Sequence, residues 1–196
     1  MTTDSPNRFI RFLVRRRVPI SIAVYGILVA EDVLTGTIPH DVFDWKDTRS
    51  LLGVALLLGG LIVRSWAAGF LTKSTQLTMT GPYRMMRNPL YLGSFLMVVA
   101  FCILIGDREN IWISAVLLPL LYIPKVRSEE RYLSSKFPEE WARYAATTPR
   151  FFPRLTVLPS MSGWRLSQWL KSREYNAVAA TLAAIVALKV LHDLQS

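Results

Sequence analysis

Residues 80–93 read TGPYRMMRNPLYLG, and with Glu129 and Glu130 further along they are the part of the chain best equipped for chemistry. Tyr83, Arg84, Arg87, Asn88, Tyr91 and the two glutamates supply hydroxyl and amide groups and donors for an anion. They also supply acceptors for a cation or a ribose hydroxyl, and ring faces for stacking. By chemistry alone this set suits headgroup binding as well as catalysis.

Local breaks position these side chains. Gly81-Pro82 is a turn signal, and Asn88-Pro89 is a second one that sets Pro89 at the start of a helix, so Tyr83 and Arg84 fall on a short segment between breaks. Tyr91 then lies in the first turn of an apolar run. Residues 90–105 and 111–123 are joined by Gly106-Asp107-Arg108-Glu109-Asn110, short enough to make the two runs antiparallel neighbours. Pro119 and Pro124 should bend or end the second run early. The hairpin brings Tyr91, Arg127, Glu129 and Glu130 near one surface. Beyond it, Glu130, Leu133, Phe137, Trp141 and Tyr144 recur at helical spacing, with Pro138 restarting the helix. Glu129 and Glu130 point in different directions on a helix, which makes Glu130, on the apolar stripe, the better pocket candidate.

The composition places this surface at a membrane. The 196-residue chain is 52% hydrophobic, with a mean hydropathy of +0.30, and its apolar residues form runs at 19–36, 51–70, 90–105, 111–123 and 176–191. Five such runs predict an all-α fold, an integral membrane bundle of about five transmembrane helices with cytoplasmic interfacial helices, built as a single domain over 1–196. Arg8, Arg11, Arg15, Arg16 and Arg17 precede the first run against Asp4, and an acidic connection with Asp41, Asp44 and Asp47 follows it. Lys73, Arg84 and Arg87 then make the next connection basic, and residues 125–174 carry ten basic and five acidic side chains. The alternation predicts an inner or plasma membrane protein with its N-terminus in the cytoplasm and its C-terminus outside.

Residues 8–18 mix arginines with Phe9, Ile10, Phe12, Leu13 and Val14, as in an amphipathic helix on the inner leaflet, with Pro19 beginning the first span. That run lacks a small-residue cleavage pattern and is expected to be retained. Glu31 and Asp32 near its outer end suit solvated or paired roles. In the second run Gly53, Gly59 and Gly60 permit close helix approach. Arg64 and Trp66 either mark the end of that run at the headgroups, or Arg64 enters a polar pocket in the bundle. Trp164, Leu166, Trp169 and Leu170 suggest another interfacial helix, so that residues 160–196 comprise this helix and a C-terminal span.

The net charge of +9 follows from membrane topology, and no nucleic-acid motif accompanies it. Cys102 lies in an apolar run and reads as packing. With only His40 and His192 elsewhere there is no structural metal site. Phosphate-binding glycine loops and a nucleophile elbow are absent. A transporter is disfavoured by the lack of an inverted repeat or a central ion relay.

The motifs together resemble the isoprenylcysteine carboxyl methyltransferase and phospholipid methyltransferase superfamily of integral membrane enzymes. The resemblance rests on Gly81-Pro82-Tyr83 through Arg87-Asn88-Pro89-Leu90-Tyr91, then on Glu129-Glu130, Leu133, Phe137, Tyr144 and Arg150-Phe151-Phe152-Pro153, and is strongest over residues 64–153. It implies S-adenosyl-L-methionine as cofactor, held by Tyr83, Asn88, Tyr91 and Glu130, with Pro89 shaping the wall. It further implies catalytic positions at Arg87, Arg127 and Arg150, the last two orienting an anionic acceptor that enters laterally from the inner leaflet. The implied acceptor is a membrane lipid, or a lipidated or hydrophobic small molecule, such as an isoprenylcysteine-like carboxylate or a phospholipid amine. Where the family has His, this chain has Asn88, which cannot act as a base near neutral pH, so a mechanism that needs imidazole there is excluded. The alternative is a non-catalytic lipid-binding or scaffolding protein that keeps the fold.

Overall fold

A computed structural model of the chain describes residues 8–72, 76–158 and 162–196. Asp4, Lys73 and Pro159, and the side chains of Phe9 and Ile10, lie outside the described residues. The described residues form seven helices and no strand: α1 Arg8–Thr35, α2 Thr48–Phe70, α3 Pro89–Ile105, α4 Arg108–Lys136, α5 Pro138–Thr147, α6 Leu166–Lys171 and α7 Glu174–Gln195. A 3-10 turn, Gly81–Arg84, lies between α2 and α3. Helices α1, α2, α4 and α7 are long and apolar enough to cross a membrane, and α3 is a shorter apolar helix. The protein is thus an all-helical bundle of the integral membrane kind.

Helix starts follow local chemistry. The Asp47 carboxylate accepts from the backbone N–H of Arg49 and Ser50 to open α2, and that of Asp107 accepts from Glu109 N–H to open α4. Each satisfies donors that the first turn of a helix leaves without partners. Pro89 and Pro138 stand at the first positions of α3 and α5, as expected of a ring with no N–H to lose.

Other prolines depart from expectation. Helix α1 runs unbroken through Pro19, where a separate amphipathic helix was to end and a span begin, and α4 runs through Pro119 and Pro124 for 29 residues. A proline in a helix interior removes one backbone bond. In an apolar environment, leaving the helix would strand several polar groups, so the helix continues.

Helices α2 and α3 meet backbone to backbone. A Cβ on Gly60 would lie 2.7 Å from the carbonyl oxygen of Gly93, and a Cβ on Gly93 would lie 2.6 Å from that of Gly60. Glycine is the residue that admits this approach. Gly59, expected to contribute, has nothing within 4 Å of its Cβ position. Leu57, Ala100 and Leu104 continue the contact into a buried cluster with Val42 and Leu188.

The up-and-down course gathers the start of α1, the end of α2, the start of α3, the end of α4 and the start of α7 at one end, here the proximal end. At the distal end, the α1–α2 connection is fastened to its surroundings. His40 N–H donates to the Leu104 carbonyl at 2.8 Å, Lys189 bridges Asp41 at 3.2 Å and Asp193 at 2.6 Å, and His192 Nδ1 lies 2.8 Å from the Pro39 carbonyl oxygen. Asp32 is buried and accepts from Asn110 Nδ2 at 2.7 Å, the paired role expected of it. Cys102 is buried within the bundle.

Candidate functional site

At the proximal end, the 3-10 turn folds under α2. Gly81 has φ +58°, and a Cβ there would strike the Phe70 ring at 2.7 Å, so the turn needs glycine on both counts. The segment after α5 is then laced to the same turn: Arg87 N–H donates to the Pro149 carbonyl at 2.8 Å, and Arg154 N–H to that of Met85 at 3.0 Å. The Tyr144 hydroxyl donates to the Tyr83 carbonyl at 2.7 Å. Two stretches far apart in sequence thereby form one wall.

Glu130 is the centre of that wall. It is 8% exposed. Its carboxylate accepts from Arg150 Nε at 3.0 and 3.1 Å and Nη2 at 2.7 Å, and from Asn88 Nδ2 at 3.3 Å, with Arg87 Nη1 at 3.4 Å. Asn88 occupies the cap position of α3 yet makes no capping bond. Its amide instead donates to Glu130 and, at 3.2 Å, to the Arg150 carbonyl. The bond to Glu130 raises the Arg150 pKa, so this guanidinium stays charged throughout the accessible pH range. Arg87 also lies 5.6 Å over the Trp141 ring, a cation–π contact.

One turn away the Tyr91 hydroxyl donates to Glu129 at 3.0 Å, and Lys125 pairs with the same carboxylate at 2.9 Å. Tyr91 meets Tyr122 edge to face at 5.7 Å. On the opposite side Arg64 makes a two-pronged pair with Glu174, at 2.8 and 3.0 Å, and contacts Ser94. The polar-pocket alternative for Arg64 is the one found. Glu174, at the first turn of α7 and 3% exposed, is its buried partner.

These groups surround a cavity of about 850 Å³. Its lining includes Tyr83, Arg87, Asn88, Pro89, Tyr91 and Glu130, and also Arg17, Arg64, Lys125, Glu129, Trp141, Tyr144 and Glu174. Both glutamates of the pair line it, where helical geometry alone suggested one. Arg127 is exposed and does not join the lining, and Arg150 reaches it only through Glu130. Two lining residues also carry a buried polar atom without a hydrogen-bond partner, the Tyr83 hydroxyl and Arg87 Nε, as Ser21, Trp66, Asn110 and Gln195 do elsewhere. Burial drives the Tyr83 phenol pKa far upward, and burial does the same at Tyr144, so both stay protonated and neither serves as a base. Sequence reasoning missed Arg17, which stood in a basic run explained by headgroups, and Glu174, a lone acid beside a basic segment. The signal for Glu174 was an arginine buried in α2 that required a partner.

The sequence pattern of the phospholipid methyltransferase family matches residues 48–140, which hold most of this wall. Over 171 residues the chain is 37% identical to the nickel-cobalt-cadmium resistance protein NccN of Alcaligenes xylosoxydans xylosoxydans, covering 81% of this chain and 74% of that protein. It is 34% identical over 164 residues to the cobalt-zinc-cadmium resistance protein CzcN of Cupriavidus metallidurans, covering 78% and 71%. No solved structure matches the chain. The chain belongs to the phospholipid methyltransferase family, within the superfamily of integral membrane methyltransferases.

Proposed function

We propose that the chain is an S-adenosyl-L-methionine-dependent methyltransferase acting on a lipidic or hydrophobic acceptor at the cytoplasmic face of the membrane. The observation that carries this reading is the convergence of Tyr83, Asn88, Pro89, Tyr91 and Glu130 on one cavity. The donor set suits this cofactor: carboxylates for its cationic groups, donors for its carboxylate, and ring faces for its base. The positive charge of the connections at the proximal end supports a cytoplasmic placement.

When bound, S-adenosyl-L-methionine supplies an electrophilic methyl group on a positively charged sulfur. Tyr83, Asn88, Tyr91 and Glu130 would hold it, with Pro89 as part of the wall. The chain's own contribution is alignment and exclusion of water, in a field that favours a cation beside Glu129 and the Tyr91 ring. Asn88 has no proton to take or give at neutral pH, and its part is to bind Glu130 and brace the Arg150 carbonyl. Arg150 and Arg87 act as positioning residues through Glu130, which sets the turn that carries Tyr83.

The relatives' names attach them to nickel, cobalt, cadmium and zinc. The cavity lining has no cysteine or histidine, the usual ligands of those metals.

Calorimetric titration of the detergent-solubilised protein with S-adenosyl-L-methionine, and with S-adenosylhomocysteine as the product control, tests the reading. Saturable binding is expected, weakened roughly tenfold in Glu130→Gln through loss of the charged acceptor in the lining. Absence of binding by either nucleotide with inner-leaflet lipids restored overturns it in favour of lipid binding without transfer.

A further inference from the structure

Between Glu140 and Glu174 the chain carries six basic side chains and no acidic one. Arg150 pairs with Glu130, but among the described residues none of Arg154, Arg165 and Lys171 has a carboxylate partner. Within this basic stretch Phe152, Leu155 and Leu158 are 84%, 79% and 85% exposed. They belong to no spanning helix, so a span facing acyl chains does not account for them. Three large apolar side chains left open within seven residues mark a contact surface. None of residues 145–171 lines the cavity, so this surface is separate from the site already described.

Hydrogen bonds on either side of these residues fix the level at which they stand. Upstream, the Arg150 carbonyl accepts from Asn88, which caps α3, and Arg154 N–H donates to the Met85 carbonyl. Downstream, Arg165 N–H donates to the Gly69 carbonyl at 3.0 Å and Trp164 Nε1 to that of Ser65 at 3.2 Å. A Cβ on Gly69 would strike the Trp164 indole, so glycine admits this docking. All four partners lie in the last turns of α2 or just ahead of α3, where one apolar helix ends and the next begins. That is the headgroup level, the usual place for tryptophan and for arginine with its charge raised to phosphate. The segment has two sides. Phe151 is half-buried and meets the Phe95 ring at 6.2 Å, and Arg150 reaches Glu130, whereas Phe152, Leu155 and Leu158 are left on the outside.

We propose that residues 151–158 form a strap that inserts into an anionic leaflet and thereby seats the cavity wall. Phe152, Leu155 and Leu158 enter the acyl boundary, and Arg154 and Arg165 lie among the phosphates. The same segment holds Arg150 on Glu130 and ties the turn that carries Tyr83, so the wall is firm where the leaflet grips the strap. The proposal stands whether or not the cavity takes a methyl donor.

The test uses the full chain in phosphatidylcholine nanodiscs with and without phosphatidylglycerol. A bimane label on Leu155→Cys reports insertion, with Glu140→Cys as the solvent-facing control and the wild-type chain, whose Cys102 is buried, as the labelling control. The label at 155 is expected to lose iodide quenching and gain quenching by brominated lipid, more completely with phosphatidylglycerol, while the label at 140 stays open to iodide. Substituting Phe152, Leu155 and Leu158 together by serine should speed hydrogen exchange over residues 81–88 roughly tenfold in phosphatidylglycerol nanodiscs. In detergent, where no leaflet is present, this variant and the wild type should exchange alike, which shows that the substitutions themselves leave the fold intact. Iodide access at 155 in nanodiscs overturns the proposal, and shielding that returns only in native membranes gives the surface to a protein partner instead. Insertion with exchange over 81–88 unchanged in the triple variant also overturns it, leaving a lipid contact that seats nothing.

Discussion

The two ends of the bundle use similar polar residues to different effect. At the distal end, Asp41, Asp47, His40, His192 and Lys189 tie the α1–α2 connection to its surroundings, mostly at the surface, and the pairs are spent on holding it in place. At the proximal end, the pairs Arg64–Glu174, Arg87–Glu130 and Lys125–Glu129 stand around a cavity. Ion pairing by itself therefore does not distinguish a site from a staple. What distinguishes them is whether the pairs enclose space.

The strongest way to break the contrast is at Glu130. Glu130→Ala strands Arg87, Asn88 and Arg150 together, and should destabilise the protein by about 2–3 kcal/mol, less than a fully buried pair because Arg150 is partly exposed. Thermal unfolding in detergent checks this, and Glu130→Gln, which keeps acceptor capacity, should lose less. A smaller effect is expected where α2 and α3 touch. Gly60→Ala drives a Cβ into backbone and should cost about 1–3 kcal/mol, whereas Gly59→Ala, with open space around it, should change stability by less than about 1 kcal/mol in the stabilising direction. Equal melting temperatures for the two variants would refute the contact.

The gentlest test is pH. At the distal end, backbone N–H groups of Phe43 and Arg49 hold the Asp41 and Asp47 carboxyls below the ordinary aspartate value of 3.8. Their contribution is complete above that value and is lost as pH falls through the depressed native pKa. At the proximal end, burial raises the Tyr83 and Tyr144 phenols above the ordinary tyrosine value of 10.0, so the unfolded chain ionises first, and stability contributed there is complete below pH 10 and falls as pH rises beyond it. Hydrogen exchange should show the α1–α2 connection loosening first in acid and the 3-10 turn loosening first in alkali. The reverse order would undo the assignment.

Much of the proximal wall was legible in the sequence because its residues are fixed by local breaks. Gly81-Pro82, Asn88-Pro89 and the short link before α4 leave little freedom, so Tyr91, Glu129 and Glu130 meet as the hairpin predicts, while the set of Tyr83, Asn88 and Pro89 with Tyr91 and Glu130 came from the family resemblance. Helix continuity at Pro19, Pro119 and Pro124 was not legible, since a proline's local cost is overridden by the lack of water for a broken backbone. Nor were the pairings across the bundle. Whether Arg64 finds Glu174, 110 positions later, or Arg150 is consumed by Glu130, depends on how α7 and the segment after α5 return to the core. Arg17 looked like its neighbours in a basic run, and only the packing of α1 singles it out.

The Gly60–Gly93 contact has a consequence for traffic. Two helices whose backbones touch leave no seam wide enough for an acyl chain, so α2 and α3 behave as one closed panel. A lipid that reaches the cavity from the side must pass elsewhere, and α1, with Ile22 and Ile27 exposed by more than two thirds, is the helix least gripped by the rest. The rate at which a long-chain product leaves would then be set by how often α1 swings aside, so that a cross-link from α1 to α4 should slow repeated turnover more than the first.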